Sequence, residues 1–298
     1  MIKENLALHR KVREGTGSLM LLLAAIIWGG GFVAGKMALT TLTPFAILTW
    51  RFGLAAILSG LLFSRRILHT PRKTILYGCV IGCLQMCALG LQLTGLQYTT
   101  SAKQSFLCTA YVAFTPFVSW ILLRSRLQLH AILAGLMSLC GIGLICLNGA
   151  LLLNPGDLLS LAFSVLFSVQ ITLTGYFVSA DTDAIQLSFF QFLSAAGIAW
   201  LVSLIRGESF FAFGTESGIG VCYLAVLNTL AAFLLQNIAQ KSVKDTTASL
   251  IISMESIFGF LFSVLYYHEA LTYRFLLGGA LCFAAILLNS SRSKQTAL

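Results

Sequence analysis

Apolar runs of about 20 residues alternate along this chain with short polar or turn-forming breaks, the pattern of helices that each cross a hydrocarbon core about 30 Å thick. The runs predict ten spans, at roughly 17 to 36, 44 to 63, 75 to 96, 102 to 123, 129 to 148, 157 to 178, 185 to 205, 217 to 239, 247 to 267 and 272 to 290. The breaks include Thr43-Pro44, the basic stretch Arg65 to Lys73, Gln97 to Thr100, Arg124-Ser125-Arg126, Asn154 to Asp157, Asp181 to Asp183, Arg206 to Glu208, Lys241 to Asp245 and His268-Glu269. Several are so short that consecutive helices must run antiparallel. The fold class expected is an all-α integral membrane protein.

The pattern also repeats. Between Gly78 and Leu147, adding 144 to a residue number returns the same residue type at Ala88/Ala232, Gln92/Gln236, Ser105/Ser249, Phe114/Phe258, Ser119/Ser263, Leu127/Leu271, Gly135/Gly279 and Ile142/Ile286. A shorter block matches at an offset of 140, setting Trp50-Arg51-Phe52 opposite Phe190-Gln191-Phe192. Five spans per repeat, an odd number, make the second copy enter the membrane from the opposite face. Inverted repeats are the usual plan of secondary transporters. The expected organisation is a cytoplasmic segment at 1–16, a first repeat at 17–150, a second at 151–291 and a cytoplasmic tail at 292–298.

Composition agrees: 58% hydrophobic against 10% charged residues, with mean hydropathy +0.90, leaves too few charges to solvate a soluble surface. The net charge of +9 is explained by topology. With the N-terminus inside, 14 of the 19 Lys and Arg residues fall in cytoplasmic segments, as the positive-inside rule requires. Both termini are then cytoplasmic, and no basic stripe remains to bind nucleic acid. The apolar run after the basic start continues to Lys36 and nine more spans follow, so the first span reads as retained rather than as a cleaved signal. The eight cysteines all sit in spans, and none is placed for a disulfide framework. Cys79, Cys83 and Cys87 line one helix face; they read as small apolar residues at a helix contact, with soft metal ligation as the alternative. No phosphate-cradling loop, metal-ligand cluster or catalytic constellation is present, so neither ATP hydrolysis nor a resident metal or cofactor is expected and the chain is not read as an enzyme.

Trp28-Gly29-Gly30-Gly31-Phe32-Val33-Ala34-Gly35-Lys36 in the first span, Arg51-Phe52 in the second, Gln92 and then Leu96 to Ala102 in the third, and Ser253-Met254-Glu255-Ser256 in the ninth, followed by Glu269-Ala270-Leu271-Thr272, come in a telling order. Together they resemble the EamA-type transporters of the drug/metabolite transporter superfamily, over essentially the whole chain. The resemblance implies two inverted five-helix repeats, cytoplasmic termini, export of small metabolites and a central cavity lined mainly by spans 1, 3, 4, 6, 8 and 9. The chain departs from the pattern at Ser256, where the family usually has the proline that kinks the ninth span. Arg124-Ser125-Arg126 stands where a Gly-Glu pair is common, and Pro116 lies four residues beyond the usual proline position, Val112.

Charges inside spans point to function because burying one in hydrocarbon costs about 3 kcal/mol or more. Glu255 and Arg51 are the clear cases. At 1.5 Å per residue, Glu255 lies about 12 Å from the cytoplasmic start of its span and Arg51 about 10 Å from the outer surface. Glu255 reads as a protonatable coupling site or substrate counter-ion, or else as a structural clamp between helices. Arg51 reads first as a structural anchor held by an acid or by helix-end carbonyls. Lys36 can snorkel outward from the end of its span or attract anions there, and His268 and Glu269 read as solvated loop groups. Gln85 and Gln92 share a face of the third span, while Asn228 and Gln236 punctuate the eighth. These amides can bind a zwitterion or a carboxylate without the cost of a charge. Ser101, Ser105 and Thr109, repeated as Ser249, Ser253 and Ser256, mark close helix packing or a binding surface. Trp28, Phe32, Tyr111, Phe167 and Tyr176 supply candidate aromatic walls.

The expected function is a secondary transporter of the cytoplasmic membrane that exports small metabolites, amino acids or drug-like compounds by alternating access. Its partners are then a small-molecule substrate, the lipid bilayer and protons as the coupling ion, with facilitated efflux open, in a monomer or a homodimer. The alternatives are a membrane-embedded enzyme or sensor for a lipid-like substrate and, among transporters, uptake or nucleotide-sugar exchange.

Overall fold

The computed structural model describes residues 2–125, 127, 129–146, 154–179, 182–268 and 272–293. Arg126, Asp181, Glu269, Leu271 and Lys294 therefore lie outside the described residues, as does the expected boundary between the repeats at 150/151. Among the described residues there is no strand. The helices are α1 (Ile2–Ala38), α2 (Pro44–Ile67), α3 (Arg72–Leu96), α4 (Ser101–Cys108), α5 (Tyr111–Leu123), α6 (Leu129–Cys146), α7 (Pro155–Ser179), α8 (Ala184–Ile205), α9 (Thr215–Tyr223), α10 (Ala232–Ala239), α11 (Asp245–Ile252), α12 (Glu255–Tyr267) and α13 (Tyr273–Ser293). A π-helical turn, Leu224–Ala231, joins α9 to α10. Among the described residues, eight stretches are long and apolar enough to cross a membrane: Glu14–Ala38, Pro44–Ile67, Arg72–Leu96, Ser101–Leu123, Pro155–Val178, Ala184–Ile205, Thr215–Ala239 and Asp245–Tyr267. Two shorter apolar stretches, Ile132–Gly141 and Leu276–Ala285, fall where the fifth and tenth spans are predicted.

Local sequence explains where these helices start. Proline at the first helical position, where a missing N–H costs nothing, opens α2 and α7. Asn154 and Asp157 cap α7 reciprocally: Asp157 N–H donates to Asn154 Oδ1 and Asn154 N–H to Asp157 Oδ2. Asp183 caps α8 by accepting from the Ile185 and Gln186 amides. The start of α2 is capped from a distance, because Glu208 accepts from Ala46 N and Thr43 Oγ1 while also bonding Ser203 and Arg206.

Two spans are broken in the middle. The turn at Thr109-Ala110 separates α4 from α5, and the turn at Ser253-Met254 separates α11 from α12. The two turns lie 144 residues apart, and so do the left-handed residues that end α5 and α12, Arg124 (φ 53°) and His268 (φ 52°). The second break exists without the proline that Ser256 replaces.

Packing runs mainly between the halves of the chain. α2 and α3 pack on α8, α3 also on α7, α6 on α13, α4 on α12, and α1 on α9, α10 and α12. One continuous apolar core therefore draws on both halves, from Leu21 and Trp28 to Phe233 and Ile252. Serines allow the close approach of α4 and α12: Ser105 Oγ donates to Ser256 O, and Ser101 Oγ reaches Phe32 O on α1. Cys83 and Cys87, expected at a helix contact, are instead exposed on the outer face of α3, with Cys79 half-buried beside them. No group of three or more metal-ligating side chains occurs among the described residues.

Candidate functional site

A narrow cavity lies where the middle of α1, α2, α3, α4, α7, the π-helical turn and the start of α12 meet. Trp28, Phe32, Arg51, Gln92, Phe167, Asn228 and Glu255 line it, together with Gly31, Leu89, Leu93, Leu96, Gln104, Phe163, Leu224 and Phe233. The cavity volume is about 30 Å³. That is room for a water or two, so this conformation is constricted and a solute requires the walls to part.

The aromatic wall is one connected group. Phe163 and Phe167 stack at 5.0 Å, Trp28 meets Phe167 edge-on at 5.8 Å and Phe233 at 4.8 Å, and Tyr111 packs edge-on against Phe167 at 5.2 Å. The Trp28 indole N–H donates to the Asn228 carbonyl at 2.8 Å, fixing α1 to the π-helical turn. Such turns are rare and frequent at functional sites.

Two ionisable side chains face this cavity without forming a salt bridge to each other or to any described residue. Arg51, 2% exposed, donates from Nε to Thr229 Oγ1 at 2.9 Å and from Nη2 to Asn228 Oδ1 at 2.7 Å. The expected anchors, an acid or helix-end carbonyls, are not its partners. Glu255, 4% exposed, accepts one hydrogen bond, from the Tyr111 hydroxyl at 3.1 Å. Tyr111 and Glu255 are themselves 144 residues apart, so the residues that open α5 and α12 touch across the two helix breaks.

The other expected site residues lie elsewhere. Lys36 Nζ donates to the carbonyls of Leu96 and Thr99, each at 3.0 Å, tying the end of α1 to the end of α3 instead of facing the cavity. Gln85 accepts from Gln191, whose own carbonyl accepts from Asn237 at 2.8 Å, in a buried ladder between α3, α8 and α10. Gln236 is buried away from the cavity with both amide atoms unpartnered. Ser253 turns back on its own helix, donating to Leu250 O at 2.7 Å. Tyr111 stands one layer behind Phe167 and Glu255, and Tyr176 is half exposed at the far end of α7.

The model of the EamA-like transporter family matches residues 15–147 and again 154–291. The chain belongs to that family. It is thereby a multi-span membrane protein of the drug/metabolite transporter superfamily. An uncharacterized transporter of Archaeoglobus fulgidus is 29% identical over 285 residues, covering 94% of this chain and 88% of its own length. A second from the same organism is 24% identical, covering 93% and 98%. The uncharacterized transporter YyaM of Bacillus subtilis is 22% identical, covering 79% and 81%. A solved crystal structure superposes with a TM-score of 0.77 over 95% of this chain and 99% of its own, and at 17% identity that likeness speaks for the fold.

Sequence reasoning missed several residues around the site of this EamA-like chain. Gln104 lines the cavity and donates from Nε2 to Gln92 O at 2.6 Å and to Ser160 Oγ at 3.2 Å. An amide inside an apolar span is the sequence signal that marks it. Lys103 and Asp157, at the starts of the predicted fourth and sixth spans, form an ion pair at 2.7 Å in which the carboxylate is fully buried. Phe163 and Phe233 carried no signal that separates a cavity wall from ordinary core.

Proposed function

We propose that this protein is a secondary transporter that exports a small metabolite, amino acid or drug-like compound across the cell membrane by alternating access. The single observation that carries the reading is a central, constricted cavity onto which a buried acid and a buried arginine face without pairing, each held only by neutral groups. A structural ion pair would join them. Groups that are to change partners during a cycle are kept apart.

In this reading the chain has ten spans in two inverted repeats of five, at 17–150 and 151–291, with both termini cytoplasmic. The two helix breaks, at Thr109-Ala110 and Ser253-Met254, are the joints about which the halves rock, and the cavity opens alternately to either side. Glu255 takes up a proton when the cavity faces outward and releases it inside, exchanging it for outgoing substrate. Its hydroxyl partner Tyr111 can accept from a protonated carboxyl or donate to an ionised one, so the site stays bonded in both states.

The test has two stages. Comparing metabolites inside and outside cells that overproduce wild type or Glu255→Gln at matched membrane levels names the exported compound. With that compound in proteoliposomes, an imposed pH gradient of one unit drives about a tenfold concentration ratio at one proton per substrate without membrane potential. Glu255→Gln leaves no gradient-driven ratio. An undiminished response in the folded variant would remove Glu255 from coupling, and no wild-type transport of any exported compound would remove the export reading.

A further inference from the structure

We propose that the cavity recognises its substrate through a carboxylate, bound by Arg51 beside Asn228, with the aromatic wall taking an apolar body. The proposal rests on the transport reading and names the substrate class of the same site.

The argument starts with the unused capacity of Arg51. A guanidinium has five N–H donors. Nε and Nη2 each meet a neutral side-chain oxygen, while Nη1 has no acceptor among the described residues. A cation this deeply buried needs a counter-charge, and no carboxylate ion-pairs with it among the described residues. Where the chain wants a charge neutralised internally it supplies the partner, as Asp157 does for Lys103. At Arg51 the side chain lines the cavity instead, with its free donors available to a solute.

The second half of the chain supplies an internal control. Arg51 corresponds to Gln191 at the offset of 140, and Gln85 corresponds to Thr229 at 144. The Arg51–Thr229 contact and the Gln191–Gln85 contact are therefore the same helix joint made twice. The second copy is closed by amides alone and does not border the cavity. The joint thus forms without a charge, and the chain carries arginine only in the copy that faces the cavity.

The chemistry selects a carboxylate. Guanidinium and carboxylate are planar and match through two parallel hydrogen bonds. A phosphate dianion would bring two charges to a single arginine in a cavity that also holds Glu255. Most of the remaining lining, from Leu89 and Leu93 to Phe163, Phe167 and Phe233, offers only apolar surface, which fits a hydrocarbon or aromatic body.

Thermal unfolding of the purified protein in detergent tests this with three probes of matched body: 3-phenylpropionate, 3-phenylpropanamide and 2-phenylethylammonium. The carboxylate alone raises the unfolding midpoint of wild type, and Arg51→Lys, which keeps the charge but loses the fork, binds it at least tenfold more weakly. Asn228→Asp guards against a folding failure at position 51. It keeps a hydrogen bond to Arg51 while supplying a resident counter-charge, and it abolishes the response to 3-phenylpropionate. Stabilisation by the amide or the ammonium equal to that by the carboxylate, by none of the three, or undiminished in Asn228→Asp overturns the proposal. Flux of the same probes in proteoliposomes separates the two readings. Passage of the ammonium but not the carboxylate keeps transport and rejects the carboxylate site, whereas a carboxylate that stabilises but never crosses keeps the site and rejects transport.

Discussion

Gly29, Gly30 and Gly31 turn three adjacent faces of α1 toward three different neighbours, and none of these faces admits a Cβ. At Gly29 the atom would lie 2.5 Å from the Phe258 Cβ and 2.8 Å from the Gly259 backbone nitrogen. At Gly30 it would strike the Tyr223 hydroxyl, which donates to Ile27 O, and at Gly31 the Asn228 amide. Glycine costs a helix about 1 kcal/mol relative to alanine, and here Gly29 lets α1 approach the α12 backbone while Gly30 and Gly31 leave room for the Tyr223 hydroxyl and the Asn228 amide, between the cavity-lining Trp28 and Phe32. Gly29→Ala should therefore destabilise the protein by about 1–3 kcal/mol, the usual range for overpacking, despite its better helix propensity. A thermal melt in detergent checks it, and an unchanged or raised midpoint would show that α1 has slack at this point. The same scale shows what sequence can reveal of a site. Arg51, Gln92, Asn228 and Glu255 stood out because polarity inside an apolar run is expensive, and all four line the cavity. Gln85 and Gln236 carried the same signal and lie elsewhere. A buried amide can be spent on joining helices as readily as on a solute, and residue type does not distinguish the two.

The lengths and order of the apolar runs were legible at the scale of elements, because bilayer thickness dictates them; the breaks within two runs were not. Neither Thr109-Ala110 nor Ser253-Met254 contains glycine or proline. At each break a hydroxyl returns to the carbonyl three residues back, Thr109 to Phe106 and Ser253 to Leu250, with Ser105 and Ser249 doing the same one turn earlier, and the unbroken α7 carries such bonds too at Ser164 and Ser168, so they accompany the breaks without being sufficient for them. Such bonds bend helices. Ser256 makes the point testable. Its amide bonds Ser253 O across the turn at 3.1 Å, so a proline there removes one turn hydrogen bond in the first turn of α12, where the ring meets no continuous helix behind it. Ser256→Pro should cost no more than about 1 kcal/mol, while Val264→Pro, in the interior of α12, should cost about 3 kcal/mol or more. Similar losses in the two melts would mean that α11 and α12 behave as one continuous helix.

Across the whole molecule, the two halves repeat their joints and differ in their charges. Tyr111 and Glu255 occupy equivalent positions and bond each other; Arg51 and Gln191 occupy equivalent positions and close equivalent helix contacts. Each half gives the cavity one ionisable group for which the other half has a neutral counterpart, so the repeat builds the scaffold and its imperfection builds the site. Matching residues at the offset of 144 foretold the scaffold. The imperfections carried no label, since a mismatch between repeats looks the same whether it matters or not. The proposed orientation in the membrane rests on the same whole-chain pattern, since 14 of 19 basic residues gather on one side when the termini are placed in the cytoplasm. Gly156 is a poor reporter of that orientation, since a side chain there would meet Gly95 O at 2.6 Å. Ala212, exposed between α8 and α9, and His69, exposed between α2 and α3, are better placed. In intact cells a membrane-impermeant maleimide should modify Ala212→Cys above the background of the native cysteines, and His69→Cys only after permeabilisation. The reverse order would turn the protein over in the bilayer and put Glu255 nearer the outer face than Arg51, while an inward proton gradient would still drive the exchanged substrate outward, because the gradients and not the orientation set the direction of exchange.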